Sequence, residues 1–502
     1  MKRTVAILLF LLAVTSYAQQ PAPQVVHPSV GTKWKSSDNK ISIELIDKKQ
    51  YFDWSDKATL DKDIYSPKSV NIHPDGRKFY VNSLEGCVTV VYDMQTRNKL
   101  KTIKHRFTAA DSRLWSKPSS LYPFTHYHDN LNTFYGKPVE STFSHDGRYL
   151  WVPYYRRSYD INAQDPSAVA IIDTENDSIV KLMETGPLPK MVATSPDGKY
   201  VVITHWGDNT LGLINISSDN PSEWHHESLL VVDYKLKLNY SLTEPVDRDN
   251  GSGYALRGTV FTPDGKYLLV GCMGGSGGIA VVDMTKRKYI GRILGMRSNV
   301  RHLIISNNYL YLSINGAGYV QRIKIDKIKE AIQNATSKVI YLKGWEECKV
   351  GRGARTIEVS PSGRYIFAAC NTVSQLYVVD TQTMTVISRA NVDSYPVGLD
   401  VSDDGAYVIT TSQGRRKMGG NAVDIYKITY SDKEYTSKKS ETKTDTASVS
   451  PVLTSDSSGT GLTNTNNTPY IIILGAAVLT LICAACVYIS KRNAHARQAD
   501  SY

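Results

Sequence analysis

Cysteine is scarce in this chain, with six residues among 502. Four of them, Cys87, Cys272, Cys348 and Cys370, stand too far apart for a zinc motif, and no Cys-x-x-Cys-His attachment sequence occurs. The spacing argues against covalent haem and against the short zinc-binding modules. We therefore predict no cofactor.

Long apolar runs are equally scarce, and they are confined to the two ends. At the N-terminus, Lys2 and Arg3 precede an apolar run over residues 5–14, and small residues flank Ala18. This order is typical of a secretory signal, so we expect residues 1–18 to be cleaved. The run is too short to span a hydrocarbon core of about 30 Å.

The C-terminal run is longer. Residues 470–490 carry no charged side chain, which predicts a transmembrane helix. Lys491 and Arg492 follow at once and place the tail, residues 491–502, in the cytoplasm by the positive-inside rule. The body of the protein would then be held outside the cytoplasm, in the periplasm or at the cell surface. A sorting tail that is removed from the mature protein is the alternative.

Between the ends, the composition favours an all-β protein. Charged residues make up 21% and hydrophobic residues 41%, which is ordinary for a globular chain, whereas 32 Tyr and 34 Gly favour strands and tight turns. The net charge is +11. Residues 431–469 are rich in Ser, Thr, Lys and Asp and poor in apolar residues, so we expect a disordered stalk there.

An internal repeat organises the body. Each unit has an apolar strand, a turn that usually ends in Gly, a second strand that begins with an aromatic residue, and often a third strand that ends in Asp. The turns centre on Pro74-Asp75-Gly76, His145-Asp146-Gly147, Pro196-Asp197-Gly198, Pro263-Asp264-Gly265, Pro361-Ser362-Gly363 and Asp403-Asp404-Gly405, with Asn307-Asn308 as a degenerate copy. Such turns join antiparallel strands, and the strand-ending Asp is expected to cap the next turn.

Seven four-stranded units of this kind predict a seven-bladed β-propeller over residues 41–430, with an eight-bladed ring as the alternative. Residues 19–40 form a lead-in. The isolated period-two stretch at residues 41–45 predicts the outermost strand of the last blade, paired near residues 423–430. The same arrangement brings Cys348 near Cys370, which makes them a candidate disulfide.

The repeat resembles the YVTN family of propeller repeats, found in surface-layer and lactonase-like proteins. Lys78-Phe79-Tyr80-Val81-Asn82-Ser83, followed by Val88-Thr89-Val90-Val91-Tyr92-Asp93, comes closest to that family's strand–turn–strand pattern. The resemblance covers about residues 65–430. The resemblance implies the fold. It does not select a function, because members of the family bind, scaffold or catalyse.

A basic residue stands at the start of the first strand in five of the seven units, six residues before the turn Pro or its equivalent. First strands begin on one face near the axis, so these side chains should crowd the channel mouth, where loops between second and third strands also open. The first-strand positions are Lys68, Val139, Lys190, Arg257, Arg301, Arg355 and Val397. The loop candidates for ligand contact are Tyr154, Arg156, His205, Trp206 and Arg415. His302, which follows Arg301, is a further candidate.

Clustered like charges suggest an anionic ligand or an acidic partner. The competing interpretation is local pairing of each base with Glu140, Glu358 or Asp400. Our leading functional prediction is a non-catalytic binding or scaffold module for an anionic small molecule, glycan or protein. The alternatives are a lactonase- or lyase-type enzyme, with bases among His126, His128, His205 and His302, and a periplasmic redox propeller. Export argues against a nucleic-acid target.

Overall fold

Strand pairing in the computed structural model follows the repeat. The structure describes residues 25–52, 59–248, 251–414 and 419–431. Strands are numbered in chain order. Two of them precede the first repeat: β1 (Lys33–Lys35) and β2 (Ile41–Gln50).

The first three blades are antiparallel sheets built outward from the axis. Their strands are β3 (Pro67–Ile72), β4 (Lys78–Ser83), β5 (Val88–Asp93) and β6 (Lys99–Lys104) in blade one; β7 (Arg106–Phe107), β8 (Phe134–Pro138), β9 (Thr142–Ser144), β10 (Tyr149–Arg157), β11 (Ser167–Asp173) and β12 (Ser178–Thr185) in blade two; and β13 (Pro189–Thr194), β14 (Tyr200–His205), β15 (Thr210–Asn215) and β16 (His225–Val231) in blade three.

Four further blades complete the ring. Their strands are β17 (Leu256–Phe261), β18 (Tyr267–Cys272), β19 (Ile279–Asp283) and β20 (Lys288–Leu294) in blade four; β21 (Val300–Ser306), β22 (Tyr309–Ile314), β23 (Tyr319–Lys324) and β25 (Glu346–Lys349) in blade five; β26 (Ala354–Val359), β27 (Tyr365–Cys370), β28 (Gln375–Asp380) and β29 (Thr385–Asn391) in blade six; and β30 (Pro396–Val401), β31 (Tyr407–Ser412) and β32 (Ala422–Tyr430), joined by β2 and β1, in blade seven. The predicted seven-bladed propeller is confirmed, and the eight-bladed alternative is wrong.

The predicted turn chemistry explains how first and second strands are joined. In blade three, Ser195 Oγ donates to Asp197 and accepts from the backbone N–H of Tyr200, while Gly198 adopts φ +70°. Blade five lacks the glycine, but Asn307 and Asn308 both adopt positive φ, which a two-residue hairpin turn requires. Asp93 Oδ1 accepts from the backbone N–H of Thr96, which is the expected cap.

The ring closes as predicted, between the start and the end of the repeat region. β2 pairs antiparallel with β32, from Ile41 opposite Tyr430 to Gln50 opposite Ala422. β2 is not outermost, because β1 adds a further strand outside it. Lys48, 1% exposed, lies inside this seam, where its Nζ bonds Asp393, lies 3.5 Å from Asp424, and donates to the Pro28 carbonyl. We call Lys48, Asp393 and Asp424 the seam ion cluster.

Two insertions are built onto blades two to four. In residues 105–137, β7 and β8 extend blade two and a 3₁₀ helix spans Ala109–Leu114. In the second, a 3₁₀ helix (Pro221–Glu223) precedes β16, and residues 232–255 follow it. Asn162 and Gln164 hydrogen-bond this second insertion at Ser241 and Tyr240. In blade five, α1 (Ile325–Gln333) buries Ile328 against the sheet, and β24 (Val339–Tyr341) pairs parallel with β20.

The predicted disulfide is wrong: Cys348 and Cys370 are buried free thiols. They share one hydrophobic cluster, but Cys348 lies on the fourth strand of blade five and Cys370 on the second strand of blade six. Two strand spacings of about 4.8 Å separate those radial positions, more than the Cα separation of a disulfide permits.

Several predictions concern residues that the structure does not describe. They are the signal peptide, most of the stalk, the predicted helix at residues 470–490 and the tail. Within the described ranges, no helix is both long enough and apolar enough to cross a bilayer.

Candidate functional site

A β-bulge marks the start of the first strand in nearly every blade. In blade one, Pro67 pairs with Ser83 and Ser69 with Asn82, so Lys68 is the extra residue. The same shift falls at Lys190, at Arg257, at Arg301, at Arg355 and at Val397. In blade two the first strand is split around Val139 and Glu140. A bulge changes the direction of a side chain. The side chains at these positions therefore do not follow the regular alternation between the two faces of the sheet.

Five of these seven positions are basic, and the structure brings them into one electrostatic cluster. We call Lys68, Lys190, Arg257, Arg301 and Arg355 the basic ring. Except for the partly buried Arg301, they are only 3–8% exposed. Arg257 Nη2 lies 3.1 Å from Glu140 Oε1, a pair that spans from blade four to blade two. Pairing with Glu140 was part of the competing interpretation, and it is seen.

The cations of the basic ring lower one another's pKa values. Burial lowers the pKa of Lys68 well below its usual range, and the charges of Arg355, Arg257 and Lys190 lower it further, while Glu140 opposes them. Burial likewise lowers the pKa of Arg301, with Arg355 and Arg257 adding to the effect. The cations therefore destabilise one another.

Arg301 is the clearest case among these cations. Its Nη1 lies 3.4 Å from the thioether Sδ of Met273, a weak acceptor. Its buried Nε meets no hydrogen-bond acceptor among the described residues. A buried guanidinium donor without an acceptor is costly, so a ligand oxygen placed here would be stabilised.

Aromatic rings flank one side of the basic ring. Lys190 Nζ lies 4.0 Å from the ring centre of Tyr155 and 5.3 Å from that of Trp206. The guanidinium of Arg257 lies 5.9 Å from Trp206. Cation–π contacts of this kind hold Lys190 without neutralising it.

His302 is the predicted histidine that lies beside the ring. Its Nδ1 lies 3.0 Å from the Ile357 carbonyl and 3.4 Å from the Ile357 backbone N, and the shorter contact favours the tautomer with Nδ1–H. Burial lowers its pKa to about 4, with Glu140 opposing and Arg257 adding to the shift, so the ring is neutral at pH 7. Its Nε2 is then an unprotonated base.

Two predicted ligand residues are fully buried and make hydrogen bonds within the propeller. Tyr154 is fully buried, and its hydroxyl bonds His105 at 2.9 Å within the core formed by the first insertion. His205 is also fully buried; its Nε2 accepts from the Gly186 N–H, and its Nδ1 meets the Thr210 hydroxyl. The sequence does not show that the insertions and blade contacts cover these positions.

The remaining loop candidates divide in the same way. Arg156 bonds the carbonyls of Asp160 and Ile161 within its own loop, which leaves it outside the basic ring's contacts. Trp206 joins the ring as described. Arg415 lies outside the described residues.

The two insertion histidines converge on a single carboxylate. His126 Nδ1 and His128 Nε2 each lie 2.9 Å from Asp165 Oδ2, whose other oxygen accepts from Thr125. Hydrogen bonds to His128, Thr125 and His126 lower the pKa of Asp165 against the effect of burial. No group able to hold a metal ion occurs among the described residues. The contact anchors the first insertion to blade two.

Glu358 and Asp400 do not neutralise the ring. Each accepts a hydrogen bond from the backbone N–H of the next residue, and Asp400 also accepts from Ile72. Burial raises the pKa of Glu358 to about 7, and burial together with Glu358 raises that of Asp400. A carboxylate paired with a cation would show the opposite shift, so the raised pKa values argue against pairing of Glu358 and Asp400 with the basic ring.

The glycine-rich stretch Gly274–Gly278 is a blade loop. Strand β19 follows it rather than a helix, and Arg292 Nη1 donates to the Gly277 carbonyl. The sequence of this loop fits the pattern Gly-x-Ser-x-Gly, but the loop lacks the strand–turn–helix context of a nucleophile elbow.

Glu140 and Met273 are the site residues that the repeat pattern did not select. Glu140 entered the sequence analysis only as a possible counter-charge, because it follows Val139 in a blade without a basic residue. Met273 follows the second strand of blade four and carries no charge signal. The bulges, which set the direction of every ring residue, have no clear sequence marker.

Comparisons with known proteins agree with the fold. Residues 135–449 match the model of a family described as lactonase, 7-bladed beta-propeller. Antigen Lp49 of Leptospira interrogans is 27% identical over 210 residues, which cover 38% of this chain and 41% of that protein. The match thus spans less than half the length of that curated relative.

Two solved structures resemble the chain loosely. Hydrazine synthase of Kuenenia stuttgartiensis gives a TM-score of 0.48 at 13% identity, covering 69% of this chain and 93% of that one. The Cps50 (Swd1) β-propeller domain of Myceliophteria thermophila gives 0.49 at 12% identity, covering 73% and 97%. Blade count, closure and the family match over most of the ring agree, and the chain belongs to the lactonase family of seven-bladed β-propellers.

Proposed function

We propose that this protein is a binding module that holds an anionic small molecule, a glycan acid or an acidic protein segment at the basic ring. The observation that carries the proposal is Arg301, whose Nη1 lies against a thioether and whose buried Nε meets no acceptor among the described residues. Burial lowers the pKa values of Lys68 and Arg301, and the charges of Arg355 and Arg257 lower both further. This supports the proposal, because an added negative charge would relieve the repulsion.

We further propose that the propeller works outside the cytoplasm, tethered by residues 470–490 and exported by residues 1–18. The apolar runs and the basic residues that flank them support this placement. A charged site in that position would meet soluble anions or acidic partners rather than genomic nucleic acid.

A thermal-shift measurement on the purified full-length protein tests the binding proposal. Phosphate, sulfate, sugar acids and polyanionic glycans are compared with chloride at equal ionic strength. A ligand at 100 times its dissociation constant adds about 2.7 kcal/mol of stability. We expect a rise with at least one anion class, weakened by added salt.

Matched triple variants show whether the basic ring is responsible. Arg257, Arg301 and Arg355 are changed to Gln in one protein, and the exposed Arg77, Arg113 and Arg389 are changed to Gln in the control. Both lose three positive charges. We expect the ring variant to lose the anion effect and the control to keep it. An anion effect that survives in the ring variant would place binding elsewhere, and no effect in the wild type would argue against an anion site.

A lactone-hydrolysing enzyme is the second candidate. The family's name, together with the neutral base at His302 Nε2 beside Arg257 and Glu140, favours it. His302 would activate water and the ring would stabilise the oxyanion. Lactones in the same panel, followed for ring opening in the wild type and in His302→Gln, test the idea. Turnover that is lost in the variant would establish catalysis, and no turnover in the wild type would leave the binding role.

A further inference from the structure

We infer that Glu140 is an internal competitor for the anion site: its carboxylate occupies Arg257 in the ligand-free protein and must be displaced when an anion binds. The inference rests on the proposed anion binding. It assigns to Glu140 the role of a specificity-determining residue that favours multiply charged ligands over monoanions.

The position of Glu140 makes it a mimic of a ligand. It leaves blade two where the first strand is split, and it reaches past blade three to Arg257 in blade four. Its side chain is 13% exposed, whereas that of Arg257 is 4% exposed. Glu140 is therefore the more exposed partner of the pair, and another carboxylate or phosphate that binds this atom of Arg257 would have to replace it.

The electrostatic influence of Glu140 extends beyond Arg257. The same carboxylate opposes the lowering of the pKa of Lys68, of Arg301 and of His302. One negative charge thus stabilises the protonated forms of several neighbours at once, as the negative group of a bound ligand would. Without it, the five cations of the basic ring would repel one another more strongly.

Competition of this kind discriminates by charge. A monoanion can offer Arg257 little more than Glu140 already provides, and it must also be desolvated. A dianion replaces Glu140 at Arg257 and leaves a second charge for Arg301 or Lys68. The carboxylate therefore disfavours the wrong ligand class by occupying the site, a repulsive element that raises specificity at a cost in affinity.

Calorimetric titration of the full-length protein with acetate, sulfate and inorganic phosphate at fixed ionic strength provides the test. The variants are Glu140→Gln, which removes the competing charge, and Glu140→Asp, which keeps the charge but shortens the side chain. Glu85→Gln, at an exposed glutamate paired with Lys137, is the control for net charge. In Glu140→Gln we expect binding at least about tenfold tighter than in the wild type, equivalent to about 1.4 kcal/mol.

The pattern across ligands is as informative as the magnitude. We expect acetate to gain more than phosphate in Glu140→Gln, since the barrier to monoanions is removed, and Glu140→Asp to fall between the variant and the wild type. We also expect Glu140→Gln to melt lower than the wild type without anion and to recover in phosphate. Recovery of the melting temperature keeps the test usable if the variant is poorly stable in plain buffer.

The outcomes separate this inference from the binding proposal. If the wild type binds an anion and Glu140→Gln binds it equally well or more weakly, the inference is overturned. Glu140 would then be a ligand contact or a purely structural counter-ion. Binding in the variant but not in the wild type would support complete masking by Glu140. Binding in none of the proteins would instead refute the proposed anion site.

Discussion

Glu358 and Asp400 lie near the ends of neighbouring first strands, and burial raises the pKa of each. The charge of Asp403 adds to the shift of Glu358, and the charge of Glu358 adds to that of Asp400. Burial is the main cause of the raised pKa values, and no compensating cation is among the causes for either group. Each retains hydrogen bonds from backbone N–H groups, which stabilise the carboxylates only in part. Glu358 is a buried acid whose protonation changes with pH near neutrality.

The stability contributed by Glu358 should therefore change with pH. Its pKa rises from 4.5 in the ordinary state to about 7 in the folded protein, so the folded state binds more protons between those values. The contribution is fully present below about pH 4.5 and is lost as pH rises through about 7. Gln cannot ionise, so Glu358→Gln should become progressively more stable than the wild type from about pH 5 to about pH 8. Urea unfolding across that range measures it.

The exposed Glu85→Gln serves as the control, and its stability should follow the wild type in parallel. Comparison with the wild type is needed because the buried histidines, whose pKa values are lowered, contribute a slope of opposite sign. Parallel curves for Glu358→Gln and the wild type would contradict the assigned shift.

Single residues were predictable from sequence where their role is local. Asp93 caps its turn because the acceptor and the donor lie three residues apart. The burial of His205 and Tyr154 could not be predicted, because it depends on contacts with Gly186 and with His105 of the first insertion that no local pattern encodes. Glu140 was undervalued because its partner Arg257 belongs to a blade two units away.

At the scale of the strand, the β-bulge is the feature that forms the site, because it sets the direction of the basic side chains at the start of each first strand. The hairpin turns could be predicted, since Pro, Asp, Asn and Gly encode them locally. The bulges could not, because a register shift depends on how the first and second strands meet and on the neighbouring blade. Gly258 illustrates this, since a Cβ there would lie 2.8 Å from the Arg301 carbonyl oxygen and from the backbone of His302.

Gly258→Ala should therefore destabilise the protein. The added methyl would push the first strand of blade four away from that of blade five, with an expected loss of about 1–3 kcal/mol in the free energy of unfolding. Gly316→Ala is the matched control, because nothing lies within 4 Å of the position that its added methyl would take and its φ is not positive. Urea unfolding of both variants checks the difference; equal stabilities would mean that the blades are not in close contact at Gly258.

For the whole molecule, closure of the ring depends on the seam. β2 and β32 supply the strand pairing, and the seam ion cluster adds a buried charged contact, with Lys48 1% exposed and Asp393 and Asp424 fully buried. A buried pair contributes little over an apolar replacement, but loss of one partner leaves the others uncompensated.

Lys48→Met should therefore cost about 3–5 kcal/mol in the free energy of unfolding, because two buried carboxylates lose their cation. Lys49→Met removes the neighbouring lysine, which pairs with Asp47 near the surface, and should cost about 0–1 kcal/mol. Chemical unfolding at pH 7.5 distinguishes them. Equal effects would show that Lys48 is not essential to the seam.

The seam also sets a time order for making the protein. Lys48 and Asp393 are separated by 345 residues, so the contact that completes blade seven cannot form until almost the whole ring has been synthesised. Each earlier blade can pair its own strands as it emerges, but β2 must wait for β32, and contacts of such high sequence separation form slowly. During that interval β2 offers an open strand edge to other chains. The protein should thus be most prone to aggregation late in its biogenesis, just before its two ends meet.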